Sequence, residues 1–236
     1  MKHYLLVHGA WHGAWAWEET KRSLEGRGHH VITIDLPGHG SDTTPISGIS
    51  FRGYVDAVKA RLSMLSGRHI LVGHSLGGAV VSQAAEEMPH AVEAVVVVAG
   101  FVLRANESTL DVMKDDAASD LLSKLIFSAD QSSATVSAET VQSHVYNGGT
   151  AEQIGRAAPQ LRPQATEPFF AHTTLGAAFS GLRRLYVECT DDRVLSLDMQ
   201  RKIQERCGMS RLATLASGHV ASITRPRELA DALASV

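Results

Sequence analysis

The sharpest chemical signal in the chain lies in five residues, Gly73-His74-Ser75-Leu76-Gly77. Arg68-His69-Ile70-Leu71-Val72 ahead of them reads as a buried strand, and Ala79 to Ala85 behind them as a helix. A Gly-x-Ser-x-Gly at a strand-to-helix switch makes a nucleophile elbow. The glycines permit a turn too tight for side chains, and the serine stands at its tip with its hydroxyl exposed. A serine hydroxyl is a weak nucleophile near neutral pH. It needs a base within hydrogen-bond reach, and that base needs a third group to orient it. In chains with this motif the acid and then the histidine follow the serine. Asp191 and Asp192 follow the run Leu185-Tyr186-Val187-Glu188-Cys189, and His219 follows Leu215-Ala216-Ser217-Gly218. His219 is therefore expected to take the Ser75 proton and return it to a leaving group. One of the two aspartates would hold the imidazole tautomer; their adjacency leaves open which.

A developing oxyanion needs donors aimed at it. One is the backbone N–H of Leu76, the residue after the nucleophile. The other is expected from the loop His8-Gly9-Ala10-Trp11-His12-Gly13, where Gly9 lets the backbone approach a substrate closely and Ala10 supplies the N–H. Trp11 is expected to wall the pocket, although packing against neighbouring helices would ask for the same residue type.

These groups need a scaffold that gathers them on one rim. Tyr4–His8, His30–Ile34, the run before the elbow, Val92–Val98, Arg184–Cys189 and Arg211–Leu215 read as six strands. Between or after them, Ala14–Arg27, Phe51–Leu65, Leu197–Arg206 and Arg225–Val236 have helical character. Strands apolar on both faces and joined by helices imply an α/β fold, with a mainly parallel sheet covered on both sides. Ligands bind at the carboxyl ends of such strands, where the three candidates fall. Residues 1–100 and 183–236 follow this pattern. Residues 101–182 lack long β-branched runs and read as an inserted helical cap, with helices over Asp111–Ala118, Leu121–Phe127, Ser137–Val145 and Glu152–Ala158.

Composition narrows the rest. A chain of 236 residues, 44% hydrophobic and 20% charged, has the balance of an ordinary soluble domain with a sizeable core. A net charge of -3 gives no basis for nucleic acid or anionic membrane as a partner. The opening run Met1 to His8 is too short for a secretory signal core. Cys189 and Cys207 form neither a metal spacing nor a disulfide framework, so a cytoplasmic setting is expected. His8 and His12 straddle a strand end and a glycine-rich loop with no third ligand nearby, which argues against metal. His39 and His74 read as structural or as bordering the site. With no Gly-x-Gly-x-x-Gly and no Walker lysine, a nucleotide cofactor is not expected.

Together these pieces resemble the α/β-hydrolase superfamily, and within it the plant methylesterase and hydroxynitrile lyase group with its bacterial esterase relatives. The resemblance spans nearly the whole length. It rests on Leu6-Val7-His8-Gly9-Ala10-Trp11-His12-Gly13-Ala14-Trp15, Asp35-Leu36-Pro37-Gly38-His39-Gly40-Ser41, the elbow with Gly78, Tyr186 through Asp192, and Ser217-Gly218-His219. In the insertion, Tyr146-Asn147 and Leu161-Arg162-Pro163-Gln164 are family-like too. The resemblance implies Asp192 as the acid, the Ala10 and Leu76 amides as the oxyanion hole, and a sheet beginning at what is normally the third strand of the fold. It implies a serine carboxylesterase acting on a small, fairly apolar ester, methyl or short alkyl, through an acyl-enzyme and without a cofactor. The cap would cover an apolar pocket, with Gly9, Trp11, His74, Phe101, Phe127, Phe169, Phe170 and Val220 as substrate-binding candidates and Phe179 as a further lining residue. Members are often homodimers. The same triad serves amidases, lactonases and thioesterases. The lyases of the group carry threonine where this chain has Gly9 and lysine where it has Val220, which disfavours cyanide release. An intact set of three catalytic candidates also disfavours a purely ligand-binding role.

Overall fold

Apolar β-branched runs form the strands, and their alternation decides which face each residue covers. The computed structural model describes residues 1–236. Its strands are β1 (His3–Val7), β2 (His30–Ile34), β3 (His69–His74), β4 (Val92–Val98), β5 (Leu125–Phe127), β6 (Ser133–Val136), β7 (Gln164–Ala165), β8 (Arg183–Cys189) and β9 (Ser210–Leu215). Six of them form one sheet in the order β2-β1-β3-β4-β8-β9. Every neighbouring pair in it is parallel. Leu5, Val7, Leu71, Val95 and Val97 join a core with the helices Phe51–Ser63 and Leu76–Glu87. Their chain neighbours Tyr4, Leu6, Ile70, Val72, Ala94, Val96 and Val98 point to the other face, where they pack with Trp17, Leu24, Leu229 and Leu233. The period of two thus builds two apolar layers on one sheet.

The expected helices shift at their ends. The segment Ala14–Arg27 is a 3-10 turn, Ala14–Trp17, followed by an α-helix, Glu18–Glu25. Helix Phe51–Ser63 starts where the Ser50 side chain accepts from the Gly53 N–H at 3.1 Å, a standard N-cap. Helix Leu197–Arg206 has the bounds read from sequence.

Between β4 and β8 the insertion is not the purely helical cap expected. Strands β5, β6 and β7 form a three-stranded antiparallel sheet inside it. The segment Leu121–Phe127, read as one helix, makes a single 3-10 turn over Leu121–Lys124 and then pairs as β5. The physical cause follows directly in the chain. The Asp130 carboxylate accepts from Ser128 Oγ, Ser132 N and Ser132 Oγ, which closes a tight turn and folds β6 back onto β5. The other three helices are present in altered form, as Thr109–Asp115, Ala138–Thr140 continuing into a π turn over Val141–Val145, and Ala151–Ala157. The first and last of these begin with capping boxes, Ser108 with Asp111 and Thr150 with Gln153.

Candidate active site

Strand β3 ends at His74, and the next helix begins at Leu76. Ser75 between them has φ 51° and ψ −124°, a left-handed backbone that a non-glycine residue adopts at a cost of about 1–3 kcal/mol. The surroundings hold it there. Its N–H donates to Val98 O at 3.2 Å, and its carbonyl accepts from the N–H groups of Gly78 and Phe101 at 2.9 and 3.1 Å. The flanking glycines are obligatory on space alone. A Cβ at Gly73 would stand 2.3 Å from Gly77 O, and one at Gly77 would stand 2.4 Å from His8 O.

His219 and Asp192 are both buried and meet at 2.8 Å, Nδ1 to Oδ2. The other carboxylate oxygen of Asp192 accepts from the N–H groups of Val194 and Leu195 at 2.8 and 2.9 Å, and Gln200 Nε2 donates to Oδ2 at 3.2 Å. Four donors fix the carboxylate in plane. It therefore takes the Nδ1 proton of His219 as its fourth partner and leaves Nε2 as the free basic nitrogen. Asp191 is exposed; its backbone, not its carboxylate, engages the site, with N–H donating to Ser217 O at 3.0 Å and carbonyl accepting from Asn147 Nδ2 at 2.6 Å. No hydrogen bond joins Ser75 Oγ to His219 Nε2 in this resting geometry; such bonds tighten once substrate is bound.

The loop after β1 lies against the elbow. A Cβ at Gly9 would be 2.8 Å from Ser75 Cβ and 2.9 Å from His74 Nδ1. Glycine is thus what lets this loop pack against Ser75 and His74. Leu76 opens its helix, so its N–H has no acceptor within that helix and is available to an anion. Trp11, at φ 66°, is pinned at both ends, with Nε1 donating to Ala134 O at 3.0 Å and its carbonyl accepting from Arg162 N at 2.9 Å. Its indole lines a cavity of about 290 Å³ together with Val136, Val141, Leu161 and Pro163 of the insertion.

Burial holds His8, His12, His39 and His74 neutral, and each bonds protein through at least one ring nitrogen. His8 Nε2 accepts from Leu36 N at 3.0 Å while Nδ1 donates to Gly9 O at 2.8 Å. His12 Nδ1 donates to Ala10 O at 2.7 Å, and its Nε2 accepts from Tyr146 OH at 2.8 Å. Burial lowers His8 to about 3 and His12 to about 4. His39 Nε2 meets Tyr54 OH at 3.0 Å, and burial lowers it to about 4. His74 donates from Nε2 to His219 O at 3.0 Å, and burial holds it well below the usual imidazole range. His74 therefore supports the His219 loop from beneath instead of facing a substrate.

The aromatic candidates divide. Phe101 and Phe169 are buried in the main core, and the Phe101 N–H bonds the nucleophile's own carbonyl. Phe127 and Phe170 are 46% and 53% exposed, so neither sits in a buried pocket wall. Phe127 is turned out because it lies on the edge strand β5. Phe179 lies under the Arg184 guanidinium, 5.6 Å from it, at the amino end of β8, which is the far end of the sheet from the site. Val220 is wholly buried among Val141, Val145, Tyr146 and Ala157, so its part is packing. Three residues were not singled out from sequence as part of the site. Gln200 holds the acid, and Asp116, buried, accepts from Ser196 N and Oγ at 2.7 and 2.6 Å at the end of the acid's loop. His12 is the third. The relevant contacts are tertiary, and no spacing announces them.

A parallel sheet with a strained serine at the tip of β3, and a buried carboxylate–imidazole pair beyond β8 and β9, defines an α/β-hydrolase arrangement. The chain belongs to the alpha/beta hydrolase family, whose model matches residues 4–232. It is 26% identical to methylesterase 7 of Arabidopsis thaliana over 252 residues, 100% of this chain and 96% of that one. It is also 26% identical to methylesterase 9 of the same plant over 253 residues, covering 100% and 98%. Among solved structures, a polyneuridine aldehyde esterase variant superposes with a TM-score of 0.90 at 22% identity, covering 99% of this chain and 98% of that one.

Proposed function

We propose that this chain is a serine carboxylesterase for a small, fairly apolar ester, with Ser75 as nucleophile, His219 as base and Asp192 as orienting acid. One observation carries the reading: a buried Asp192–His219 pair leaves Nε2 free on the same rim as a serine held at φ 51°. Ser75 Oγ attacks the ester carbonyl as His219 Nε2 takes its proton. The oxyanion is met by the N–H groups of Ala10 and Leu76. His219 then gives the proton to the departing alcohol, which leaves Ser75 acylated. Water, deprotonated by the same nitrogen, releases the acid and restores the serine. No step requires a cofactor. The methylesterase relatives favour a methyl or short alkyl ester. Residues 1–100 and 183–236 act as the core domain and 101–182 as its cap. The setting we propose is cytoplasmic, in keeping with two unpaired thiols, with a homodimer as the assembly.

Intact mass after treatment with a fluorophosphonate, followed by a screen of p-nitrophenyl and methyl esters, tests the reading. A single adduct, lost in Ser75→Ala, together with ester turnover is the expected result. Retained turnover in Ser75→Ala would reject the nucleophile. An adduct without ester turnover would move the activity to amides, lactones or thioesters.

A further inference from the structure

Of the insertion's contacts with the site, one dipeptide touches three of its loops. The π turn Val141–Val145, an irregularity frequent at functional sites, ends at Tyr146 and Asn147. Tyr146 is fully buried, and burial keeps its phenol protonated, hence a donor. Its O–H donates to His12 Nε2 at 2.8 Å, across 134 residues of chain. Ala10 O can only accept, so the two His12 bonds together allow one tautomer. With Nε2 accepting, the ring proton sits on Nδ1, which donates to Ala10 O at 2.7 Å.

The Ala10 carbonyl belongs to the Ala10–Trp11 peptide, the unit that turning would relax. Trp11 has φ 66°, unfavourable for any residue with a Cβ. Flipping the Ala10–Trp11 peptide changes Ala10 ψ and Trp11 φ together, and would return Trp11 to the negative range. The Ala10 N–H lies on the preceding peptide, so the flip would disturb it through Ala10, the residue the two peptides share. The His12 bond to Ala10 O opposes it. Asn147, next in the chain, donates to Asp191 O at 2.6 Å. It also packs so close to Gly218 that a Cβ there would lie 2.2 Å from Asn147 O. One dipeptide of the insertion thus braces the loops bearing Ala10, Asp192 and His219.

We infer that Tyr146 is a positioning residue: by bonding His12 Nε2 it holds the ring whose Nδ1–H pins the Ala10–Trp11 peptide, and so aims the oxyanion donor. The inference rests on the esterase reading. Docking of the insertion and assembly of the oxyanion hole are then one event.

The test compares full-length Tyr146→Phe with Tyr54→Phe. Both remove a buried phenol that bonds a histidine; Tyr54 OH meets His39 Nε2 and Gln164 Nε2, but only the histidine bonded by Tyr146 goes on to hold Ala10 O. Phenylalanine keeps the ring packing in each. Tyr146→Phe is expected to lower kcat about tenfold with KM within about twofold, the size of one unmade buried hydrogen bond. It should weaken a trifluoromethyl ketone, which forms an oxyanion on the serine, by the same factor. Tyr54→Phe should lower Tm comparably and leave kcat within about twofold. Backbone hydrogen exchange in residues 8–13 should accelerate in Tyr146→Phe and not in Tyr54→Phe. Unchanged kcat and unchanged exchange in Tyr146→Phe would overturn the inference, as would an equal kcat loss in both variants. If the wild-type protein turns over no ester, the esterase reading fails by itself, and the exchange comparison still decides the clamp.

Discussion

Replacing Asp192 by asparagine changes one oxygen for an NH2, and the surrounding donors dictate where that NH2 must go. Oδ1 of Asp192 accepts from two backbone amides, Val194 N at 2.8 Å and Leu195 N at 2.9 Å. Neither amide can turn away without breaking the loop, so the amide oxygen of asparagine must stay on that side. Its NH2 then occupies the Oδ2 position, facing the His219 Nδ1 proton at 2.8 Å and the Gln200 Nε2 donor at 3.2 Å. Donor meets donor twice. The imidazole escapes by moving its proton to Nε2, which removes the lone pair that should receive the Ser75 proton. The wrong tautomer of a triad histidine costs about 10⁴ in kcat, or about 5.5 kcal/mol of barrier. Steady-state hydrolysis of a p-nitrophenyl ester measures it, with circular dichroism to show that the variant is folded. Asp191→Asn serves as the matched comparison. That carboxylate is exposed, and the residue engages the site through its backbone only, so kcat should stay within about twofold. If Asp192→Asn keeps more than about a tenth of wild-type activity, the orienting role assigned to that carboxylate is wrong. If Asp191→Asn loses as much, the acid has been misassigned.

Gly9→Ala places a Cβ 2.8 Å from Ser75 Cβ and should cut kcat about 100-fold through displacement of the nucleophile or the oxyanion loop; near wild-type kcat would show that the loop can yield. Stability should fall on mild acidification. His8, His12 and His39 are lowered to about 3, 4 and 4 chiefly by burial, from an unfolded value of 6.5. Below pH 6.5 the unfolded chain binds protons that the folded chain refuses, so unfolding is favoured progressively until pH nears 4. Each such histidine costs on the order of 2 kcal/mol at pH 5. Depressed carboxylates such as Glu87, lowered to about 2 by its Arg52 and Lys59 partners, add their loss only at lower pH. Urea midpoints at pH 7.5, 6 and 5 check this, and a flat series would mean that these rings are solvated in the folded protein.

The central strands were legible because they are apolar runs with both faces buried, as in Val92–Val98, whose bounds match the structure. The elbow was legible because its residue types and spacing are compact and flanked by a strand and a helix, although the contact that demands Gly77 comes from His8 O, far off in the chain. The insertion's sheet was not. β7 spans two residues and β6 is Ser-Ala-Thr-Val, too short and too polar for a period to register, while Leu121 to Phe127 carries apolar residues at a helical spacing. What separates strand from helix there is a side-chain turn around Asp130. Asp192 could be told from Asp191 only by family likeness, since the distinction lies in which carboxylate the Val194 and Leu195 amides enclose. The bridge from Tyr146 through His12 to Ala10 spans residues whose types are unremarkable where they stand.

The position of the insertion has a consequence for when the protein becomes competent. Val98 at the end of β4 and Arg183 at the start of β8 belong to adjacent strands, and the intervening stretch must be drawn into a loop before they can pair. Ser75 is encoded before that loop, Asp192 and His219 after it. Any contiguous fragment that holds both the tight turn at Ser75 and the imidazole of His219 must include the whole insertion. If the proposed triad holds, a chain ending before His219 carries Ser75 without its base, and reactivity is expected only once the two halves of the sheet are joined. The same geometry makes the hydroxyl's reactivity a reporter of global folding: a serine-directed probe applied to a refolding sample reads the closing of β4 on β8, one bond standing for the long-range architecture of the whole chain.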